Sequence, residues 1–180
     1  MGSRVELIEL GLKLAGDPIA AKVVEVGCGD GRDAVDIVPR VDQYEGFDPS
    51  IGLIDLARRR LPNVSFVKVD ALDYAYPEQL DVIYAFASFL HLNRDNFAAA
   101  CIRAAKALRP GGILLMTLKE RDQYQAELVK DEFGERMFYY YNEATVRQLI
   151  GQEWAVAHME HQTLNRKTAK WLLVALRRLG

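Results

Sequence analysis

The chain has 180 residues, half of them hydrophobic and 27% charged, with a formal net charge of -2. That length can bury a full core without disulfides or a structural metal, and the balanced charge gives no general reason to bind nucleic acid or an anionic membrane. No apolar run approaches the ~20 residues of a membrane span, and no basic-then-apolar segment opens the chain. Cys28 and Cys101 form no paired spacing, so a cytoplasmic, reduced, metal-free protein is expected. Met1-Gly2-Ser3 resembles a myristoylation start, but Glu6 stands where Ser or Thr is needed. The one basic run, Arg166, Lys167, Lys170, Arg177 and Arg178, reads as a solvated edge.

In chain order, Val5 to Leu12 predicts a short amphipathic helix closed by Gly16 and Asp17-Pro18. Lys22 to Val26 predicts a buried strand, followed by a glycine turn and a helix from Asp33 to Val38 that Pro39 ends. Tyr44 to Phe47 predicts a second strand stopping at Asp48-Pro49. Ser50 then caps a helix with Ile51, Ile54, Ala57 and Leu61 on one face. Val64 to Val69 and Asp81 to Phe86 predict strands three and four. Asn93 caps a long helix that stops at Arg109-Pro110-Gly111-Gly112, and Ile113 to Leu118 predicts strand five.

Such strand-helix repetition demands a parallel sheet with helices on both faces. Residues 119–136 are polar and show no clear period. Asn142 caps a short helix ended by Gly151. Trp154 to Gln162 and Trp171 to Arg177 predict two strands joined by a polar loop, Thr163 to Thr168. The expected fold is a three-layer, doubly wound α/β sheet, five parallel strands plus a C-terminal antiparallel hairpin, in the order 3-2-1-4-5-7-6.

The turn Glu25-Val26-Gly27-Cys28-Gly29-Asp30-Gly31 carries most of the functional information. Alternate glycines after a buried strand let the backbone turn tightly and let a nucleotide-type ligand approach the main chain. A dinucleotide fingerprint needs a small residue three positions after the second glycine, and Arg32 stands there. Glu25, Asp30, Asp33, Asp48 and Asp70 all fall at or beyond the carboxyl ends of the first three strands. That acidic ring repels a pyrophosphate and suits a ligand with ammonium and sulfonium charges, such as S-adenosylmethionine.

The pieces VVEVGCGDGRDA, YEGFDPS, VDALDY, DVIYAFASFLHL and LRPGGILLMTLK, in that order, resemble a class I S-adenosylmethionine-dependent methyltransferase across residues 20–178. The likeness is greatest to small bacterial methyltransferases with a GCGxGRDA turn. It implies one methyltransferase domain over 1–180, with an N-terminal helix (1–20), a cofactor-binding core (21–118) and a substrate-side segment with the terminal hairpin (119–180). It implies that Gly27, Cys28 and Gly29 contact the methionine part through their main chain and that Glu25 reaches its ammonium, directly or through water. Asp48, with Pro49 behind it, would accept the ribose hydroxyls. Asp70 would accept the adenine amino group beside the amides of Ala71 or Leu72, and Phe86 would line the methionine arm. Read alone, Asp48 could equally start a helix, Asp70 cap a turn, and Cys28 be a small packed residue.

A sulfonium methyl is already activated, so orientation matters more than a dedicated base, and no triad is visible. His91, after the fourth strand, is the candidate base; its alternative is a structural hydrogen bond to a loop carbonyl. Lys119, Tyr139, Tyr140 and Tyr141 are candidates for the acceptor pocket, with strand packing the alternative for the tyrosines. No Asn/Asp-Pro-Pro-aromatic sequence follows strand four, and no insertion is present to grip a polymer. A small-molecule acceptor is therefore expected, with the N-terminal helix and residues 119–141 as cover. A cofactor-binding module without catalysis and an NAD-dependent oxidoreductase are the competing readings.

Overall fold

In the computed structural model, which describes residues 4–131, 134–164 and 169–180, the sheet grows from the short β-branched runs. The strands β1 (Lys22–Val26), β2 (Gln43–Asp48), β3 (Ser65–Lys68), β4 (Leu80–Phe86) and β5 (Leu108–Glu120) are parallel. β8 (Trp154–Leu164) and β9 (Ala169–Arg178) extend the sheet antiparallel, giving the order β3-β2-β1-β4-β5-β9-β8. With the final hairpin counted as strands six and seven, this is the expected order.

Side-chain alternation explains why the sheet is buried on both faces. In β4, Leu80, Ile83 and Ala85 join one core, while Val82, Tyr84 and Phe86 join the other. In β5, Leu114, Met116 and Leu118 face the first core, and Ile113 and Leu115 face the second. The helix α1 (Arg4–Leu14) covers the second core. There Tyr84 donates to the Ile8 carbonyl at 2.6 Å, and a Cβ on Gly11 would lie 2.7 Å from the Tyr84 ring. The first core is closed by α4 (Arg94–Ala107) and α5 (Glu143–Leu149). The predicted caps form: Ser50 accepts from Leu53 at the start of α3 (Ile51–Arg60), Asn93 from Asn96, and Asn142 from Thr145.

Four local features differ from the sequence expectation. The helix after the glycine turn, α2, spans only Ala34–Ile37, and Pro39 sits in the 3₁₀ turn Val38–Arg40 that follows. The helix α4 ends at Ala107 as expected, but the Arg109-Pro110-Gly111-Gly112 stretch that follows is not a loop before the strand. It lies inside β5 as an irregularity between the pairs Leu80↔Leu108 and Val82↔Ile113, with Gly111 at φ +81. Residues 119–136, read as aperiodic, contribute β6 (Gln125–Asp131), which pairs antiparallel with β7 (Gly134–Tyr140) in a separate sheet. Of the predicted loop Thr163 to Thr168, Thr163 and Leu164 belong to β8, and residues 165–168 lie outside the described residues, as does Met1-Gly2-Ser3. Among the described residues, no helix is long and apolar enough to cross a membrane.

Candidate functional site

The carboxyl ends of β1, β2 and β4 meet at a cavity of about 610 Å³. The glycine turn forms its floor. Gly27 has φ +69, and a Cβ there would fall 2.4 Å from the Ser88 hydroxyl, so only glycine lets β1 and the end of β4 approach this closely. Gly29 has φ +55, and a Cβ there would enter open space, leaving room against the main chain for a ligand. Ala87, at the end of β4, also has a left-handed φ of 50, costing roughly 1–2 kcal/mol; its N–H is held by Thr117 Oγ1 at 2.9 Å.

Asp48 is buried at the end of β2, with both carboxylate oxygens engaged. Gly29 N–H donates to Oδ2 at 3.1 Å and Ser50 N–H to Oδ1 at 2.8 Å. The side chain thus ties β2 to the glycine turn, and its remaining lone pairs are available to further donors. Asp70 is exposed on the cavity rim, and its Oδ1 accepts from Leu72 N–H at 3.0 Å. Cys28, Pro49, Ala71 and Phe86 also line the cavity. The Cys28 thiol is buried, which pushes its pKa well up and makes it a packed, inert group.

Glu25 is set back from the cavity lining. Its side chain lies beneath the cavity, 2% exposed, and accepts a 2.5 Å hydrogen bond from Tyr44. Burial pushes its carboxyl up to about 8, Asp33 adds to the rise, and the Tyr44 hydrogen bond and Arg4 oppose it. The cavity lining does not include Glu25, so the geometry offers it no direct reach to a ligand ammonium. The other acids of the expected ring are at the cavity, though two are neutralised: Asp30 pairs with Arg60 at 2.9 Å and Asp33 with Arg4 at 3.3 Å. Arg32 points to solvent and obstructs no packing. The close packing of turn on helix falls at Gly31, where a Cβ would lie 3.1 Å from Ala57.

Three functional candidates at the cavity escaped the sequence. Arg4 of α1 has its guanidinium 4.6 Å above the Phe86 ring, and its buried Nη1 has no hydrogen-bond partner among the described residues. Its only sequence signal was a cation opening a helix expected to cover the site. Arg136 and Met137 come from β7, where no period was legible.

His91 lies in the 3₁₀ turn Phe89–His91 on the opposite wall. Its Nδ1 is 2.8 Å from the Met137 carbonyl oxygen, and its ring lies 4.6 Å from Phe138. A carbonyl can only accept, so Nδ1 carries the proton and Nε2 a lone pair. Burial lowers the imidazole pKa, with Arg136 and Lys119 adding to the fall and the Met137 carbonyl opposing it. His91 thus makes the structural hydrogen bond of its alternative reading, to a main-chain carbonyl of β7.

Lys119, Tyr139, Tyr140 and Tyr141 do not line this cavity. Tyr141 is fully buried and donates to the Leu92 carbonyl at 2.6 Å, Tyr139 stacks with Tyr124, and the Tyr140 ring receives Arg121 at 3.8 Å. Lys119 lies 3.7 Å above Phe138. Lys119 and Tyr140 do line a second, open cavity of about 700 Å³ with Arg121, Asp122 and Lys170, away from the glycine turn.

A family model described as a methyltransferase domain matches residues 23–112, half of the chain. Trans-aconitate 2-methyltransferases resemble the chain at 32% identity. In Acidovorax ebreus the match runs over 117 residues, 63% of this chain and 45% of the relative; in Methylobacterium nodulans it runs over 130 residues, 69% and 50%. The chain spans about half the length of these curated relatives. Among solved structures, an S-adenosylmethionine-dependent methyltransferase from Clostridium acetobutylicum superposes with a TM-score of 0.77 at 11% identity, covering 98% of this chain and 91% of that one. N-methyltransferase NodS from Bradyrhizobium japonicum, in complex with S-adenosyl-l-homocysteine, superposes at 0.74 and 18%, covering 97% and 85%. At such identities these likenesses establish the shared fold.

A doubly wound sheet with a glycine turn and an acid at the tip of its second strand is the frame of a nucleotide-type ligand site. The chain belongs to the methyltransferase-domain family.

Proposed function

We propose that the chain binds S-adenosylmethionine in the 610 Å³ cavity and directs its methyl group to a small-molecule acceptor. The observation that carries this reading is the Asp48 carboxylate, fixed by two main-chain N–H groups beside an open glycine turn. In it residues 1–180 act as one domain, 21–118 holding the cofactor and 119–180 building the acceptor side.

The residues present fit the cofactor. Asp48 accepts the ribose hydroxyls, and Asp70 with the main chain of Ala71 receives the adenine edge. Gly27 and Gly29 leave the methionine arm room, with Phe86 beside it. Arg4 supplies the cation an α-carboxylate needs, and its Nη1, unpartnered among the described residues, is an open donor there. Glu25 acts from below, through Tyr44 and the Arg4–Asp33 pair, rather than by contact.

When bound, the cofactor would supply an activated sulfonium methyl for an acceptor lone pair, the former carbon–sulfur pair returning to sulfur. The chain's part is to hold the acceptor in line and exclude water, an effect able to supply ~7 to 11 kcal/mol. Where the acceptor atom carries a proton, His91 Nε2 takes it, and the Met137 carbonyl fixes the ring in that tautomer. The curated relatives are named for trans-aconitate, a property of proteins of which this chain matches about half, and it is not assigned here.

Calorimetry with S-adenosylhomocysteine and NAD tests the reading. Saturable binding of the former with none of the latter supports it; NAD binding alone overturns it. Formation of S-adenosylhomocysteine from S-adenosylmethionine with an acceptor separates an enzyme from a binding module.

A further inference from the structure

We infer that the Ser88 hydroxyl faces the methyl group in transfer, and that Thr117 is the positioning residue that holds it there through Ala87. This rests on the reading that the glycine side of the cavity holds the cofactor.

The cavity has two sides and one seam. Gly27 and Phe86 belong to the part assigned to the cofactor, while His91, Leu92 and Met137 form the facing wall. A group that passes from the first part to the second lies where they meet, and Ser88 stands there. Its Oγ would be 2.4 Å from a Cβ on Gly27, so the hydroxyl rests directly on the bare glycine turn. On the other side, the Ser88 carbonyl accepts from His91 N–H at 3.0 Å. Side chains three apart in a 3₁₀ turn eclipse one another, and Ser88 and His91 both line the cavity.

Backbone strain fixes that position. Phe86↔Thr117 is the last pair of the β4–β5 ladder. The next N–H, that of Ala87, leaves the ladder and is received by Thr117 Oγ1 at 2.9 Å, with Ala87 at φ +50. Thr117 is 1% exposed, a polar residue between Met116 and Leu118, which are both fully buried. A strained non-glycine backbone persists only where its surroundings hold it, and here it sets the following residue over Gly27. Ser88 occupies the N-cap position of the 3₁₀ turn, yet its side chain makes no cap hydrogen bond, so the hydroxyl is left to the cavity it lines. A sulfonium polarises the C–H bonds of its methyl group, and a hydroxyl lone pair is a fitting neighbour for them.

The test uses the full chain and two probes, measured by calorimetry: S-adenosylhomocysteine, whose sulfur carries no methyl, and sinefungin, whose amine stands where the methyl would be. That amine can donate to Ser88 Oγ. In Ser88→Ala, sinefungin should therefore weaken roughly ten- to a hundredfold while S-adenosylhomocysteine changes by less than about twofold. Thr117→Val keeps the shape but cannot accept from Ala87, so it should lower the sinefungin preference in the same sense, and Thr117→Ser should keep it. Arg4, Arg32, Arg136 and the acids of the cavity act in the original and altered chains alike, so the change in the ratio isolates the hydroxyl. Equal losses for both ligands in Ser88→Ala, no loss for either, or no binding of sinefungin to the unaltered chain would each overturn the contact. A Thr117→Val chain with an unchanged ratio would overturn the positioning role, and Ser88→Ala decides the contact even where Thr117→Val does not fold. If the unaltered chain binds neither ligand, the cofactor reading fails instead.

Discussion

Asp48→Ala separates two jobs that the structure gives to one side chain. The carboxylate, 8% exposed, receives the N–H groups of Gly29 and Ser50 and so joins β2 to the glycine turn. A hydrogen bond to a charged group contributes ~1.5–3 kcal/mol. The Gly29 amide lies at an open cavity and can be rehydrated, so the lost pair should cost about 2–4 kcal/mol of folding stability rather than the full sum. Losing the ribose contact should weaken S-adenosylhomocysteine by a further ~1–3 kcal/mol, roughly five- to 150-fold. Asp48→Asn should fall between, since its amide oxygen can serve one of the two N–H donors while its NH₂ opposes the other. Urea unfolding gives the first quantity and calorimetry the second. Unchanged stability would refute the bridging role; lost stability with unchanged affinity would remove Asp48 from the ribose site.

Glu25→Gln should remove a pH slope. Because burial raises the folded pKa from its ordinary 4.5 to about 8, the folded chain holds a proton that the unfolded chain has lost, and stability falls as pH rises through that window. The slope is at most ~1.4 kcal/mol per pH unit. Unfolding measured across the window should show the variant's advantage growing with pH and levelling above about 8; parallel profiles would contradict the burial argument. Arg4→Gln should weaken S-adenosylhomocysteine about tenfold and leave 5′-methylthioadenosine, which lacks the α-carboxylate, unchanged. Equal losses for both ligands would place Arg4 in packing alone. With a protic acceptor, turnover should rise with pH through a midpoint below the ordinary histidine value, and His91→Ala should lower it about 10²- to 10⁴-fold without altering S-adenosylhomocysteine affinity. A pH-independent rate would leave His91 only its bond to Met137.

The sheet was legible because its signals are local. Lys22 to Val26 runs into glycines, Ser50, Asn93 and Asn142 cap as their side chains require, and strand order follows from right-handed crossovers. Asp48 was placed at the site by its position at a strand tip. Glu25 was placed in the same ring, but its side-chain direction was not read: strand alternation sends it to the α1 face, where Tyr44 meets it across the neighbouring strand. The hairpin was hidden because β6 mixes Glu127 and Lys130 with Leu128, which is 60% exposed, so no apolar face repeats. Arg136 and Met137 reach the cavity only through that hairpin, and the partner of His91 is a main-chain carbonyl that no side-chain pattern encodes.

The most direct measurement is a crystal structure of the chain with S-adenosylhomocysteine. The account predicts the ligand along the glycine turn, with its ribose hydroxyls on Asp48, its adenine beside Asp70 and Ala71, and its carboxylate on Arg4. Density in the Lys119–Tyr140 cavity instead, or an Asp48 carboxylate turned away from the ligand, would contradict it.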